Sequence, residues 1–482
     1  MRVLFMASEV FPLIKTGGLA DVAGSLPLAL KESGVDVRLF MPAYKGIKDM
    51  VRDMQKPIYF GNPLGISDCW VIEAKHPTED MTIYLLDAPA AFERDGGPYL
   101  DANGVDWPDN DLRFALFSRI GALMSLAGDM IGFRPDIIHC NDWQTGLTPA
   151  LLRQWGGKGI PTVYTIHNLQ YQGNFPAWNR ERLGISGEQF SVHGLEFHGQ
   201  ISYMKAGIWF SSHLSTVSPT YAKEITTAEY GMGLDGLVSS KAHQLTGIIN
   251  GINVEEWNPE TDKNIAKNYS EESILGKKQA RKELLKHFDL ANDPLRPVIG
   301  IVSRLAEQKG LDLVLAASEE IIKNGATLVL LGSGDKGLEH GFTELQKAYP
   351  KHVGIYLGYN EALSHKVIAG SDYLLIPSRF EPCGLTQMFA MRYGTVPIVR
   401  YTGGLADTVV DYSVRGEGNG IVFGYASKDD VVHACKRGVE LFENRRMYNE
   451  VRRRGMKEDF SWLNSAKQWK QLYEEIINNN QH

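Results

Sequence analysis

The residues best able to do chemistry stand in loops that follow short apolar runs. Arg2–Met6 leads into SEVFPLIKTGGLADVAGSLPLAL, where Lys15 precedes Gly17 and Gly18 at the mouth of a helical stretch. Adjacent glycines let backbone N–H groups approach an anion, the helix beyond contributes its positive end, and the lysine adds a full charge. A similar arrangement occurs in VIGIVSRLAEQKGLDLVLAA, with Arg304 and Lys309 just before a helix. Across one turn both cations can converge on a single anion. Opposite charges about 4 Å apart attract by about 4 kcal/mol at an effective dielectric of 20, before desolvation, so fixed cations can take a metal's place beside a departing phosphate. Each loop by itself also fits an ordinary solvated helix start.

Further on, SRFEPCGLTQMFAMRYGTVPIVRYTGGLADTV places Glu381 in a strand-to-helix loop and adds a second glycine pair, Gly403–Gly404. A carboxylate beside phosphate-binding turns can hydrogen-bond sugar hydroxyls or stabilise a developing oxocarbenium ion. A single carboxylate does not match the paired acids of glycoside hydrolases.

Other patterns point elsewhere. Gly332, Gly334 and Gly337 form GSGDKG after TLVLL, the setting of a dinucleotide fingerprint, but the following strand VGIYLGYN ends without the acidic residue that would hold a ribose. A tight strand-to-helix turn is the simpler expectation. Asp109–Asn110–Asp111 resembles a metal-binding DxD, yet it directly precedes the amphipathic DLRFALFSRIGALM, where Asp and Asn are expected as helix caps. GxxxxGK(S/T) and HExxH do not occur, and the histidines show no compact metal-ligand spacing along the chain. Cys383 reads as packing or backbone rather than a nucleophile. Trp143 and Trp178 fit either an acceptor platform or core packing.

These loops need a scaffold. Arg2–Met6, Asp36–Met41, Pro135–Cys140, Pro161–Thr165 and Ser212–Val217 read as strands, followed after Pro297 by Val298–Val302, Thr327–Leu331, Gly354–Leu357, Tyr373–Ile376 and Val396–Val399, with amphipathic helical stretches between them. The polar stretch NGINVEEWNPETDKNIAKNYSEES after Leu245–Ile249 marks a domain boundary, and Asn464–Asn478 reads as a terminal helix. The fold class is therefore α/β, with two doubly wound halves whose ligands bind at the carboxyl ends of the strands.

The 482 residues carry a formal charge of -7, which opposes binding of nucleic acid. Cys69, Cys140, Cys383 and Cys435 form no CxxC pair and read as reduced thiols. MRVLFMASEV lacks the long apolar region of a secretory signal, and no apolar run approaches the roughly 20 residues that span a bilayer, so no membrane partner and a cytoplasmic location are expected.

The runs KTGGLADV, HCNDWQTGLTPALL, TIHNLQYQG, INGINVEEWNP, SRLAEQKGLDL, SRFEPCGLTQ and TGGLADTV, in this order, resemble bacterial glycogen synthases and their plant starch synthase relatives over essentially the entire chain. The resemblance implies a GT-B fold of two Rossmann-like domains facing a central cleft. Residues 1–249 would form the acceptor side with the Lys15 loop, 250–460 the nucleotide-sugar side, and 461–482 a helix packing back on the first domain. It implies retaining transfer of glucose from ADP-glucose to the non-reducing end of an α-1,4-glucan, without cofactor or metal. Because Lys15 stands in the first half and Arg304, Lys309 and Glu381 in the second, closure of the two domains is expected during catalysis. By the same resemblance Lys15 and Gly18 face the diphosphate and sugar, and Arg304 and Lys309 grip the phosphates. Asp142, His167, Asn168 and Asn250 line the glucosyl pocket, Tyr359 lies against adenine, and Glu381 is the principal acidic catalytic residue. Cys383, Gly384, Leu385 and Thr386 hold sugar hydroxyls through the backbone, while Asp21 and Tyr99 complete the substrate-binding set. Three positions depart from the common pattern: Asn253 in place of Asp, Asn141 in place of His, and Phe389 where many GT-B enzymes hold the ribose with a carboxylate. The alternatives are another GT-B nucleotide-sugar enzyme and a non-catalytic carbohydrate-binding protein.

Overall fold

The computed structural model describes residues 1–480, which divide into two compact units. The first comprises Met1–Val217, Ala222–Gly251 and the segment from Trp462; the second comprises Ile252–Ser461 with the short stretch Ser218–Tyr221.

In the first unit, nine strands form one sheet in the spatial order Leu245–Gly247, His213–Thr216, Thr162–Ile166, Ile137–Asn141, Arg2–Met6, Asp36–Pro42, Thr82–Asp87, Cys69–Lys75 and Ile58–Gly61. All neighbours are parallel up to Thr82–Asp87, and the last two strands run antiparallel. Those three, Thr82–Asp87, Cys69–Lys75 and Ile58–Gly61, were not among the strands expected from sequence. Cys69–Lys75 mixes buried with half-buried residues, as an outer strand covered less completely than the inner ones does. The inner strands instead read as continuous apolar runs because helices cover both faces; Val3 to Met6 are fully buried. A small antiparallel sheet of Asn174–Pro176, Gln200–Ser202 and Glu196–Phe197 stands apart from this layer.

The terminal helix Trp462–Asn480 is an integral part of the first unit. Its buried Tyr473 places a hydroxyl 2.6 Å from His139 Nδ1, and Lys470 Nζ donates to the carbonyl of Ser33 at 2.9 Å.

The second unit has six parallel strands in the order Val353–Leu357, Thr327–Gly332, Val298–Val302, Tyr373–Ile376, Val396–Arg400 and Ile421–Phe423. Ile299, Ile301, Leu328, Leu330, Tyr373, Leu375 and Ile398 pack one face against the helices Leu311–Lys323 and Lys428–Glu443. Each such buried aliphatic side chain contributes roughly 1.5–3 kcal/mol of transfer free energy.

Both sheets have their order reversal beside the first strand of the unit, at Arg2–Met6 between Asp36–Pro42 and Ile137–Asn141, and at Val298–Val302 between Thr327–Gly332 and Tyr373–Ile376. A crevice forms at the carboxyl ends of strands at such a point, because the two connections leave in opposite directions. The loops after these strands carry the residues of interest.

Candidate active site

In the first unit the chain leaves Met6 and reaches Ser8 and Glu9, both buried. Glu9 accepts from Thr16 N at 2.6 Å and Gly17 N at 3.1 Å through Oε2, and from Thr16 Oγ1 and Tyr99 Oη, both at 2.8 Å, through Oε1. One carboxylate thus holds the turn that carries Lys15. Because Tyr99 donates to Glu9, Ser8 Oγ must be the donor in its 2.7 Å contact with Tyr99 Oη. Burial and the Glu9 charge drive the Tyr99 hydroxyl well above the usual phenolic range, so it remains a donor.

The helix Gly18–Glu32 begins here, with Gly17 in extended conformation at its amino end. A Cβ added at Gly17 or Gly18 would meet nothing within 4 Å. These glycines therefore leave open space above a helix amino terminus, the arrangement that admits an anion. Lys15 Nζ pairs with Asp21 at 2.9 Å, half-exposed at the rim.

Beside it, the strand Ile137–Asn141 ends in Asn141 and Asp142. Asp142 has φ 56°, a left-handed backbone that costs a non-glycine residue about 1–3 kcal/mol and often marks a functional turn. Its Oδ1 accepts from the backbone N–H of His167 at 2.8 Å. Burial pushes its carboxyl up to about 7 against the opposing pull of the His167 and Asn168 backbone N–H groups. His167 Nε2 lies 2.8 Å from Asn141 Oδ1, and burial lowers its pKa to about 3, so the ring is neutral. Asn168 Oδ1 turns back to accept from Gln170 N at 3.0 Å.

In the second unit, Lys309 closes a short 3₁₀ turn, Glu307–Lys309, after Val298–Val302. Gly310 follows at φ 70°, and a Cβ there would lie 2.3 Å from the Pro377 carbonyl oxygen. That close approach brings the Lys309 turn against the loop after Tyr373–Ile376. Lys309 Nζ reaches Glu381 Oε2 at 2.7 Å, and Ser378 Oγ donates to the same oxygen at 2.8 Å. Glu381 is only 7% exposed. Arg304 is exposed, and its guanidinium makes no ion pair among the described residues. Arg379, by contrast, is consumed by a two-pronged pair with Asp312 at 2.7 Å for each bond.

The Glu381 loop is held from below by the second glycine pair. A Cβ at Gly403 would sit 1.9 Å from the Glu381 carbonyl oxygen, and one at Gly404 would sit 2.0 Å from that of Cys383. Gln387 Nε2 donates to the carbonyls of Cys383 and Gly384 at 3.1 and 2.9 Å, and Ser218 Oγ donates to that of Pro382 at 2.6 Å. Gly384 takes φ 71°, after which Leu385 leads into the helix Thr386–Arg392.

Comparison with known proteins gives the family. A profile described as the starch synthase catalytic domain matches residues 2–240, and one described as glycosyl transferases group 1 matches residues 283–456. The chain is 48% identical over 478 residues to a glycogen synthase of Marinomonas sp. (strain MWYL1), covering 99% of this chain and 100% of the relative. It is 45% identical to a glycogen synthase of Rhodospirillum rubrum over the whole of both chains. The chain belongs to the glycogen synthase and starch synthase family. Among solved structures it is similar to the catalytic domain of starch synthase IV from Arabidopsis thaliana bound to ADP and acarbose, with TM-score 0.85, 32% identity and 99% of each chain covered. A sucrose-phosphate synthase from Thermosynechococcus elongatus, at 17% identity and TM-score 0.61, shares the fold. The protein is accordingly a GT-B glycosyltransferase that transfers glucose in glycogen synthesis.

Within this family member the expected site residues fall into clusters. Glu9 bonds Tyr99 and the turn between Lys15 and Gly18, Lys15 pairs with Asp21, and His167 bonds both Asn141 and Asp142, with Asn168 next in the chain. Lys309 and Glu381 are in direct contact, and Cys383, Gly384, Leu385 and Thr386 follow on one loop. Asn250 is buried at the end of the first unit, where the carbonyl of Ile249 accepts from Ser465 Oγ at 2.6 Å. Tyr359 is 78% exposed, its hydroxyl bonded to Glu361. Glu9, Ser378, Ser218 and Asn141 were not singled out as working residues in the sequence: Glu9, Ser218 and Asn141 each hold a residue distant in the chain, and Ser378 holds Glu381 three residues on.

The helix-cap expectation at Asp109 changes, while other positions keep one of the readings given to them. Asp109 precedes the helix Asn110–Leu126 but makes no side-chain cap, because Arg94 takes both of its oxygens at 2.8 and 2.7 Å. Asn110 accepts from the buried Arg113 at 2.7 Å and donates to the Tyr99 carbonyl at 3.0 Å, so it positions the tyrosine loop. Trp143 is packed among Phe114, Phe175 and Tyr203, whereas Trp178 is 79% exposed and outside the core. Phe389 stacks on Trp257 at 3.8 Å and 12°. GSGDKG is a close-packed turn: a Cβ at Gly332 would lie 1.9 Å from the Ser303 carbonyl oxygen, and Asp335 caps the helix Lys336–Ala348.

Among the described residues, one group has metal-ligand proximity: Glu256, Glu361 and His365, within 4.8 Å of one another. Spacing along the chain hid it, as Glu256 is remote in sequence. Its histidine is bound by Asp262 at 2.7 Å, with Tyr393 donating to the same carboxylate oxygen at 2.6 Å. Among the described residues no helix is long and apolar enough to cross a membrane.

Proposed function

We propose that the protein transfers glucose from ADP-glucose to the non-reducing 4-hydroxyl of an α-1,4-glucan with retention of configuration, releasing ADP in the cytoplasm. The observation that carries this reading is the Lys309–Glu381 pair, with the exposed Arg304 on the same loop as Lys309. As the bond from C1 to the phosphate oxygen breaks, negative charge collects on the leaving diphosphate and positive charge on the sugar ring. Arg304 and Lys309 neutralise the first, and the Glu381 carboxylate stabilises the second. The acceptor 4-hydroxyl bonds to C1 on the face the phosphate leaves, and its proton passes to the departing phosphate.

In the first unit, Lys15 and Gly18 meet the donor at the open helix terminus, while Asp21, Tyr99, Asp142, His167, Asn168 and Asn250 shape the sugar and acceptor side. In the second, the backbone of Cys383 to Thr386 binds sugar hydroxyls and Tyr359 stacks on adenine. The four cysteines are all free and buried, which suits a reducing compartment. The similarity to a starch synthase bound to ADP and acarbose favours an adenine nucleotide and a glucan over other ligands. Initial rates with ADP-glucose and UDP-glucose, glycogen as acceptor, test it. Faster transfer from ADP-glucose is expected, and transfer from UDP-glucose alone would overturn the donor assignment.

A further inference from the structure

We infer that Asn141 is a positioning residue that keeps His167 as the tautomer protonated on Nε2, leaving Nδ1 a permanent hydrogen-bond acceptor. The inference rests on the proposed role of His167 at the donor sugar and concerns how that role is set. Asn141 is fully buried at the end of its strand, and its Nδ2 donates to the carbonyl of Met6 on the neighbouring strand at 2.9 Å. Turning the amide over would set its oxygen against the Met6 carbonyl and its NH₂ against the ring, leaving two acceptors face to face. Oδ1 therefore points at His167 Nε2, 2.8 Å away. A carboxamide oxygen only accepts, so Nε2 carries the proton and Nδ1 the lone pair.

The titratable groups nearest the ring make their hydrogen bonds elsewhere than to the imidazole. Asp142 spends Oδ1 on the His167 backbone N–H, not on the imidazole. His139 on the same strand is held neutral by burial and bonded to Tyr473 and Thr165. An asparagine has no ionisation of its own, so it cannot exchange a proton with the ring.

His167 therefore accepts a hydrogen bond from a sugar hydroxyl and serves neither as a general acid nor as a donor across the working pH range. A hydroxyl at that place is required, and a ligand group that can only accept is refused.

Two-bond ¹H–¹⁵N correlation on the full-length protein distinguishes imidazole tautomers, with the His167 signals assigned by their loss in His167→Gln. The Nε2–H pattern, unchanged from about pH 5.5 to about 8.5, is expected. A ring protonated on Nδ1, or one that titrates in that range, overturns the inference and needs no further variant. Asn141→Asp sets a carboxylate against the ring and favours imidazolium. In that variant His167 is expected to titrate within the range, and kcat to fall about tenfold for each pH unit below the new pKa, as Nδ1 becomes a donor. A folded Asn141→Asp protein with a flat kcat profile and an unchanged spectrum also overturns it. Comparison with His167→Ala separates the two layers: wild-type kcat/KM in that variant would sink the proposed role of His167 at the sugar while leaving the tautomer assignment intact.

Discussion

Lys309 Nζ lies 2.7 Å from Glu381 Oε2, and Ser378 Oγ donates to that same oxygen at 2.8 Å. The proposed phosphate-binding cation and the proposed catalytic carboxylate are therefore mechanically joined. A change in either reaches the other.

Glu381→Gln should cut transfer at least about a hundredfold while leaving ADP affinity within a few-fold. The carboxylate is charged with stabilising the sugar only as positive charge develops, and one preorganised electrostatic group of this kind contributes about 10²–10³ in rate. Steady-state kinetics with ADP-glucose, together with ADP titration, measures both quantities. Near-normal turnover would remove Glu381 from the mechanism.

Lys309→Ala and Arg304→Ala should differ in stability although both weaken donor binding. Removing Lys309 strands a largely buried carboxylate, a change that costs about 3 kcal/mol in comparable pairs, so the melting temperature should drop along with kcat/KM. Arg304 is exposed and makes no ion pair among the described residues, so its loss should raise the donor KM without moving the melting temperature. Equal melting temperatures for the two variants would show that the pair carries no structural load.

The sequence TGGLAD occurs twice, at 16–21 and 402–407, and the two copies should respond oppositely to a methyl group. Gly404→Ala would drive a Cβ to 2.0 Å from the Cys383 carbonyl oxygen, displacing the Glu381 loop; destabilisation of about 3 kcal/mol or more and loss of activity are expected. At the equivalent position, Gly18→Ala meets no atom within 4 Å, so stability should hold while the donor KM rises. Denaturant melts and kinetics on both variants check this, and a stable, active Gly404→Ala enzyme would contradict the packing argument.

The second unit should lose stability as pH rises through about 9. Burial opposes charge on His365, but its hydrogen bonds to Asp262 and Glu361 outweigh that and push its pKa up to about 9. A histidine whose folded pKa is raised contributes fully below its unfolded value of about 6.5, and the contribution fades as pH climbs through the folded pKa. The amount at stake is on the order of 3 kcal/mol. Thermal melts from about pH 6 to 10 should show this slope, and His365→Gln should flatten it. Equal slopes in the two proteins would rule out the His365–Asp262 pair as its source.

Much of this protein is written locally. Strands such as Val298–Val302 and Tyr373–Ile376 are legible because a parallel strand buried on both faces must be a short apolar run, and the loops after them are legible because glycine pairs, cations and one acid stand out against that background. What sequence alone left open is which like-looking segments do unlike things. TGGLAD reads the same at both sites, yet one copy faces open space and the other is wedged under the Glu381 loop, since that depends on backbone brought from elsewhere. Strands such as Cys69–Lys75 escaped notice because an outer antiparallel strand mixes polar with apolar residues and looks like a loop until its neighbour is in place. Only tertiary structure set Tyr99 against Glu9, Asn141 against His167, and Lys309 beside Glu381. Hydrogen bonds and ion pairs act over about 3 Å, and residues far apart along the chain reach that distance only when the sheet order brings their strand ends together.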